Sequence, residues 1–454
     1  MSVVLLQLQL HESVLDRARQ VYIGYSGGLD SHVLLHSAVA VLGAERVTAV
    51  HINHQLCEQA GAWAEHCSEV CGGLGVYLQV HVVDVCQQAS SIENAARQVR
   101  YQVFEQVLAE GDVLLLAHHQ DDQAETVLYR LLRSSGPRGL AGIPLTRAVG
   151  RGSLLRPLLQ LPRSELSGYA SEHQLQWIED PSNVDVKHDR NYLRHQVAPA
   201  LRHRWPDFSA RIAASASLCQ QAEVLNRDLA AIDLTALAET PERLGWSVDL
   251  SVLLALSPLR QANFLRYWAS LHCRSAPGHH SVMAVLDSVL VARQDRVPLV
   301  VWPGGEWRRF NGRLFLLPSG WRESAPLACE WQPDLPLKLV GGGTLVASPA
   351  SGPGLKLLPG ERLLIKFRRG GERCHPAGRV ARSSLKKLLQ EYRLEPWLRD
   401  RIPLIYRPAS TDQEAEQLIA VGDLWVCQGF AADEGDCAYR LRWDLAALSR
   451  PPRC

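Results

Sequence analysis

Residues 26–31 read Ser26-Gly27-Gly28-Leu29-Asp30-Ser31 and follow directly on the apolar run Val21-Tyr22-Ile23-Gly24-Tyr25. A strand that breaks into such a turn, then resumes an apolar helical pattern at Val33, Leu34, Leu35 and Ala38, is suited to binding phosphate. Glycine frees the backbone for conformations that a side chain forbids, and bare N–H groups can then point at phosphate oxygens. Ser26 and Ser31 add hydroxyl donors. Asp30 does not suit simple phosphate holding; a carboxylate beside phosphates makes sense where it helps hold Mg²⁺ or orients another part of a nucleotide. The chain has no Gly-Lys-Ser/Thr, so it lacks the lysine with which Walker-type loops reach the β- and γ-phosphates.

A second cluster is His118-His119-Gln120-Asp121-Asp122-Gln123-Ala124-Glu125-Thr126. Adjacent acids just after a buried strand are metal ligands or favourable charges at a helix start, and Asp122 and Glu125, three apart, share a helix face. Zinc is the other reading of a His/Asp cluster, but no cysteine pair completes a site. Arg97 and Arg100 share a face of the next basic segment. They read either as a clamp for phosphate or a nucleotide carbonyl, or as a solvated face paired with Glu93. The stretch 130–144, rich in Gly, Ser and Arg, reads as a phosphate-backbone contact, a mobile lid or a plain helix exit.

The elements that must position these groups alternate. Strands are expected at 21–25, 47–52, 76–83 and 113–117, and helices at 31–42, 60–74, 93–110 and 123–133. That order gives a doubly wound parallel sheet with helices on both faces and right-handed crossovers, with ligands beyond the carboxyl ends of the strands. Three of those ends carry the polar groups: SGGLDS, then His51-Ile52-Asn53-His54, then the His/Asp cluster. A helix is expected at 163–174 and a turn-rich segment at 177–183. A mainly helical middle follows, then short strands around a turn at 303–305, and a smaller α+β domain at the end. The expected domains are 1–205 (catalytic), 206–322 (helical, substrate-binding or linking) and 323–454.

The chain has 454 residues, is 46% apolar and 21% charged, and carries a formal net charge of +1, which alone implies no nucleic-acid partner. Locally the balance differs: residues 361–401 hold twelve Lys/Arg against five Asp/Glu. Eleven scattered cysteines without a Cys-x-x-Cys pair suggest reduced thiols and a cytoplasmic setting. The apolar start has no basic segment or cleavage pattern, and no run of about 18 apolar residues occurs. Neither a leader nor a membrane span is expected.

SGGLDS, HINH, ENAARQVRY, HHQDDQAET, SSGPRGL, RPLL and IEDPSN…DRNYLRHQVAPAL occur in this order, followed by RRGGERCHPAGR and SLKKLLQEYRLEPWLRDRIPLI. Together they resemble the bacterial tRNA(Ile)-lysidine synthetases, within the N-type ATP pyrophosphatase superfamily. The likeness is dense over the first 205 or so residues and weaker through the middle. It implies an ATP-dependent carbon–nitrogen ligase that cleaves ATP between the α- and β-phosphates. The cytosine C2 oxygen of a wobble cytidine is adenylated, and the amine of free L-lysine displaces AMP. The tRNA is an isoleucine tRNA with a CAU anticodon, and lysidine shifts its reading from AUG to AUA.

By motif, Ser26, Gly27, Gly28, Leu29, Asp30 and Ser31 would hold ATP, with His51 and Asn53 lining the adenosine side mostly through backbone. Asp30, Asp121 and Asp122 would support Mg²⁺. Arg97 would contact the nucleotide or the activated cytosine, and Asp122 and Glu125 the lysine ammonium groups. Arg133, Arg138, Arg190, Arg194, Arg368, Arg369, Lys386 and Lys387 would contact tRNA. The implied partners are tRNA and lysine, with no DNA and no membrane; a homodimer is compatible. A tRNA thiolase of the same superfamily is the nearest alternative, and a non-catalytic tRNA- or ATP-binding protein a more distant one.

Overall fold

The computed structural model describes residues 2–55, 59–84, 92–181, 185–293, 296–322, 327–350, 352–358, 360–409, 415–433 and 438–445. Ser182 and Asn183 of the expected turn, and the side chain of Glu93, lie outside the described residues. The chain divides into two compact units, Met1–Leu225 and Asn226–Arg453.

The first unit opens with two short helices, α1 (Val3–Gln9) and α2 (Glu12–Asp16). Strand and helix then alternate: β1 (Val21–Gly24), α3 (Leu29–Leu42), β2 (Val47–Asn53), α4 (Ala60–Leu74), β3 (Tyr77–Val82), α5 (Ile92–Val107), β4 (Val113–Leu115) and α6 (Gln120–Leu132). A short turn of helix, α7 (Pro137–Leu140), leads to β5 (Thr146–Val149), β6 (Gly152–Leu155) and α8 (Arg163–Glu172). After α9 (Asp189–Tyr192) come a π-helical turn, Leu193–Val197, then α10 (Ala198–Arg204) and α11 (Phe208–Leu237), which runs on into the second unit.

The sheet order is β3-β2-β1-β4-β6-β5. All neighbours are parallel except β5 against β6. One face is covered by α1, α3, α4 and α8 through a core including Leu8, Val33, Leu34, Cys67, Cys71, Leu166 and Tyr169. The other is covered by α5 through Phe104 and Leu108, packed with Val50, Leu114 and Leu154. A sheet buried on both faces needs near-continuous apolar strands, which is why VLL in β4 and VTAV in β2 read as runs, not alternations. Strand order reverses between β1 and β4, so the crevice that such sheets use for ligands opens at the carboxyl ends of those two strands.

The second unit pairs helices Leu250–Ala255, Pro258–His272 and His279–Ala284 with a five-stranded antiparallel sheet around Phe264, Trp268 and Trp307. The helical middle therefore also contains Trp246–Asp249, which pairs with Arg313–Leu316. A four-residue strand between helices has too short a period to be told from helix by pattern. A five-stranded and a four-stranded sheet, with the helix Leu385–Glu391, form the smaller α+β end. Among the described residues no helix is long and apolar enough to cross a membrane.

Candidate functional site

The turn after β1 is closed by its own hydroxyls. Ser31 Oγ donates to the Gly28 carbonyl at 2.9 Å, accepts from the Ser26 N–H at 3.2 Å and lies 3.0 Å from Ser26 Oγ. Gly28 is the N-cap of α3 with no side-chain cap bond, so the first N–H groups of the helix face outward without an internal partner. The two glycines differ in kind. Gly27 has φ +84°, and a Cβ there would meet Ile178 Cδ1 at 2.6 Å and Cys67 Sγ at 3.0 Å. Gly28 has φ −77° and ψ 163°, open to any residue, and a Cβ there meets nothing nearer than 3.6 Å. Gly27 is required by the fold, whereas the fold leaves room for a side chain at Gly28.

Gly27→Ala is therefore expected to cost about 1–2 kcal/mol of stability, read as a lower unfolding midpoint. Gly28→Ala is expected to unfold like the parent and to lose ATP binding. Undiminished ATP binding by the Gly28 variant would show that no phosphate approaches this backbone.

Across the crevice, α6 begins with a reciprocal cap. The Asp122 N–H donates to His119 Nδ1 at 3.4 Å, and the His119 N–H donates to Asp122 Oδ2 at 3.0 Å. Buried His119 places Nε2 3.6 Å from Asp30 Oδ2 and 3.4 Å from Asp122 Oδ2, so it joins the acids of the two strand ends. Burial opposes its charge, but the bond to Asp30 and the charges of Asp122, Asp30 and Asp121 outweigh it and raise its pKa. Burial likewise works against the ionised Asp122, yet His119, His118 and Arg194 hold that carboxyl below its usual range. Burial dominates at Glu125 and pushes its pKa up despite Arg194.

Asp121 turns away from this group. Its oxygens accept from the Arg163 N–H at 2.9 Å, Ser209 Oγ at 2.9 Å and Arg202 Nη2 at 2.7 Å, so it ties α6 to α8 and to the start of α11. Arg194, expected among the tRNA contacts, instead makes a two-pronged bond to Glu125 at 2.7 and 2.9 Å and reaches Asp122 at 3.1 Å. A guanidinium thus lies where the lysine ammonium was expected to face Asp122 and Glu125. Asp30, Asp121, Asp122 and Glu125 stand against Arg163, Arg194 and Arg202; a protonated His119 would balance the cluster but would give up the bond that its Nδ1 accepts from the Asp122 N–H.

His51 and Asn53 use their side chains inward. His51 Nδ1 lies 3.0 Å from the Tyr25 carbonyl, and Asn53 donates to the Ala60 carbonyl and accepts from the Gln55 N–H. Arg97 is exposed, its guanidinium 5.1 Å from the centre of the Tyr101 ring. Arg190 donates to Thr126 at 3.1 Å. Arg133 lies over Tyr129 and bonds its hydroxyl, and Arg138 is exposed. The expectation of a mobile lid at 130–144 meets a segment whose carbonyls are held by side chains: Gly139 and Gly142 by Arg130, Ala141 by Gln220, Ile143 by Gln123 and Pro144 by Arg156. Cys67 and Cys71 are fully buried, and burial lifts their thiols to about 12 and about 11, unsuited to carrying sulfur.

Ser209 and Arg202 lie far along the chain from the turn they support and carry no signal in the local pattern. Ile178, Tyr101 and Arg156 stand within the motifs IEDPSN, ENAARQVRY and RPLL, where the pattern assigns them no role of their own. Within the second unit, Arg368 pairs with Asp400 at 3.0 Å and Lys387 lies 3.9 Å from Glu391, whereas Arg369 and Lys386 are exposed with no acidic partner among the described residues. Lys386 and Lys387 occupy the first turn of their helix, the end whose dipole repels cations.

Comparison with known proteins agrees with this architecture. Residues 4–201 match the PP-loop domain family, 249–315 the TilS substrate binding domain and 363–443 the TilS substrate C-terminal domain. The tRNA(Ile)-lysidine synthase of Coxiella burnetii is 40% identical over 95% of this chain and 93% of its own length. That of Alkalilimnicola ehrlichii is 43% identical over 96% and 95%, and that of Pseudomonas aeruginosa 42% over 88% and 89%. The chain belongs to the tRNA(Ile)-lysidine synthases, a family of ATP-dependent ligases built on the PP-loop domain.

Proposed function

We propose that this chain joins free L-lysine to C2 of the wobble cytidine in the CAU anticodon of an isoleucine tRNA, at the expense of ATP cleaved to AMP and diphosphate. The observation that carries the reading is the meeting, at the β1/β4 crevice, of an open helix N-terminus with the carboxylates of Asp30, Asp122 and Glu125.

The N–H groups at Gly28 and the first turn of α3 suit the phosphates, with Ser26 beside them. The adenosine lies toward the backbone of His51 and Asn53. Mg²⁺ fits Asp30 and Asp122. Asp30 Oδ1 is buried without a hydrogen-bond donor, and magnesium takes one or two carboxylates together with phosphate oxygens. Both acids of α6 are held by donors, and Asp122 is the one that shares His119 Nε2 with Asp30. Among the described residues no group of three or more His, Cys, Asp or Glu is placed to hold a metal by itself, so Mg²⁺ would have to draw its remaining ligands from phosphate oxygens and water. When bound, the ion would neutralise charge on the phosphates.

The cytosine C2 oxygen leaves poorly until adenylated. Positioning and charge neutralisation are what phosphoryl transfer needs from the protein. Arg97, at the rim, would hold the nucleotide or the activated base. Lysine is charged at neutral pH, so its attacking amine must shed a proton. Glu125, with its raised pKa, is the better proton acceptor of the two acids on α6, and Asp122 the better ionic partner. Anticodon bases are single-stranded and can be splayed into the crevice at low cost. Arg368, Arg369, Lys386 and Lys387 would contact the tRNA backbone; lysines at the repelling end of a helix suit an anionic partner. We place the protein in the cytoplasm, with domains at 1–205, 206–322 and 323–454.

Incubation with α-labelled ATP, lysine and CAU-anticodon tRNA is expected to yield AMP and, on digestion of the tRNA, a nucleoside with the mass of lysidine. Stoichiometric ADP, or a tRNA unchanged in mass, would overturn the reading.

A further inference from the structure

Between residues 139 and 144 side chains hold a run of backbone carbonyls, of which that of Gly139 also accepts from the Gly142 N–H at 3.2 Å. Arg130 Nη1 donates to the Gly139 carbonyl at 2.9 Å and to that of Gly142 at 2.7 Å. Gln123 Nε2 donates to the Ile143 carbonyl at 3.2 Å, while the Ile143 N–H donates to Gln123 Oε1 at 2.5 Å. Gln220 Nε2 holds the Ala141 carbonyl at 2.8 Å, and buried Arg156 holds Pro144 at 2.6 Å. Both Arg130 and Gln123 belong to α6, whose first turns carry Asp122 and Glu125, and Gln123 follows Asp122 directly. The partners of Arg130 are neutral carbonyls, and burial and the charges of Arg190 and Arg97 all disfavour its cation. An arginine held this way serves geometry: Nη1 alone bonds both carbonyls, and a lysine ammonium, one bond nearer the backbone on a shorter stem, falls short of them.

The far end of the segment is turned outward. Ser134 has φ +55° and Pro137 starts α7, features that fix a backbone shape. Arg133 is exposed beside Tyr129, and Arg138 is exposed with no acidic partner among the described residues. We infer that residues 133–144 are a rigid docking arm for an RNA backbone, and that Arg130 and Gln123 are positioning residues that lock it in register with the carboxylates of α6. The arm rests on the tRNA reading above. Its consequence is geometric: phosphate held at Arg133 and Arg138 lies at a fixed offset from Asp122 and Glu125, so the strap decides whether the bound base meets the reacting groups.

The test compares Arg130→Lys, Gln123→Ala, Arg138→Ala and the Arg130→Lys/Arg138→Ala double variant. Each is assayed for binding of CAU-anticodon tRNA at several salt concentrations, for ATP binding and for unfolding temperature. Arg138→Ala is expected to weaken tRNA about three- to tenfold and to flatten the salt dependence by about one unit. Arg130→Lys keeps its charge and is expected to lose a similar factor and slope, because it displaces the arm. If Arg130 acts through Arg138, the double variant loses no more than the worse single one. ATP binding should move by less than about twofold in all four.

Unchanged tRNA binding by Arg130→Lys at an unchanged unfolding temperature, or full additivity in the double variant, would overturn the arm. Should Arg130→Lys fold poorly, Gln123→Ala, which removes one strap and no charge, carries the same expectation and the same refutation. Because the readout is binding, failure of the parent protein to make lysidine would count against the proposed reaction alone.

Discussion

Asp30→Asn is expected to slow AMP formation by about two to three orders of magnitude, with the unfolding midpoint unchanged. The side chain is one-third exposed and contributes little packing. Its two oxygens instead face His119 Nε2 and Arg163 Nε, each at 3.6 Å, and Oδ1 has no hydrogen-bond donor. Asparagine keeps the shape and removes the charge. What would be lost is a negative ligand for the Mg²⁺ that would neutralise charge on the phosphates, not the fold of the loop, which Ser26 and Ser31 close by themselves. The assay is the single-turnover rate with α-labelled ATP at saturating tRNA and lysine, alongside thermal unfolding. Retention of more than about a tenth of the parent rate would remove Asp30 from the reaction.

The second large effect is expected in the lysine requirement. Truncating one member of a desolvated, hydrogen-bonded charge pair costs about 2–5 kcal/mol, a factor of tens to thousands. Glu125→Gln should therefore raise the KM for lysine by such factors while moving that for ATP far less, and Asp122→Asn, which also removes a carboxylate suited to Mg²⁺, should raise both, that for lysine the more. Arg194 supplies the internal control. Its guanidinium already satisfies both carboxylates, so Arg194→Gln strands two buried acids and is expected to lower the unfolding temperature. If the acids serve lysine, added lysine should restore part of that loss, because a ligand that binds the folded state stabilises it. Equal increases in the ATP and lysine requirements in both carboxylate variants would reassign the pair to the nucleotide side.

Much of the catalytic half was legible because its determinants are local. The apolar runs at 21–24, 47–53 and 113–115 and the helical pattern at 60–74 are set by short-range periodicity, so strand and helix bounds read to within a few residues. The turn SGGLDS was readable for the same reason, since a strand, two glycines and a helix start are neighbours in sequence. The edge hairpin β5–β6 was not, because four-residue strands in a mixed segment give no period to detect.

Which side chains meet across the crevice was decided by tertiary structure. The sequence leaves open which of Asp121 and Asp122 would hold a metal. Folding separates them, because Ser209 and Arg202, more than 80 residues away, take Asp121, while His119 and Arg194 take Asp122. The sequence also leaves the Gly-rich stretch at 130–144 open as a phosphate contact, a mobile lid or a plain helix exit, whereas in the fold four side chains from α6, α11 and the end of β6 hold its carbonyls. Glycine content measures the freedom of the unfolded backbone. Whether that freedom survives folding depends on hydrogen-bond partners that only the packed chain supplies. The chemistry available to this protein was therefore written in residue types and local spacing. The division of labour among like residues was set by long-range contacts, whose energies depend on burial and distance and not on position along the chain.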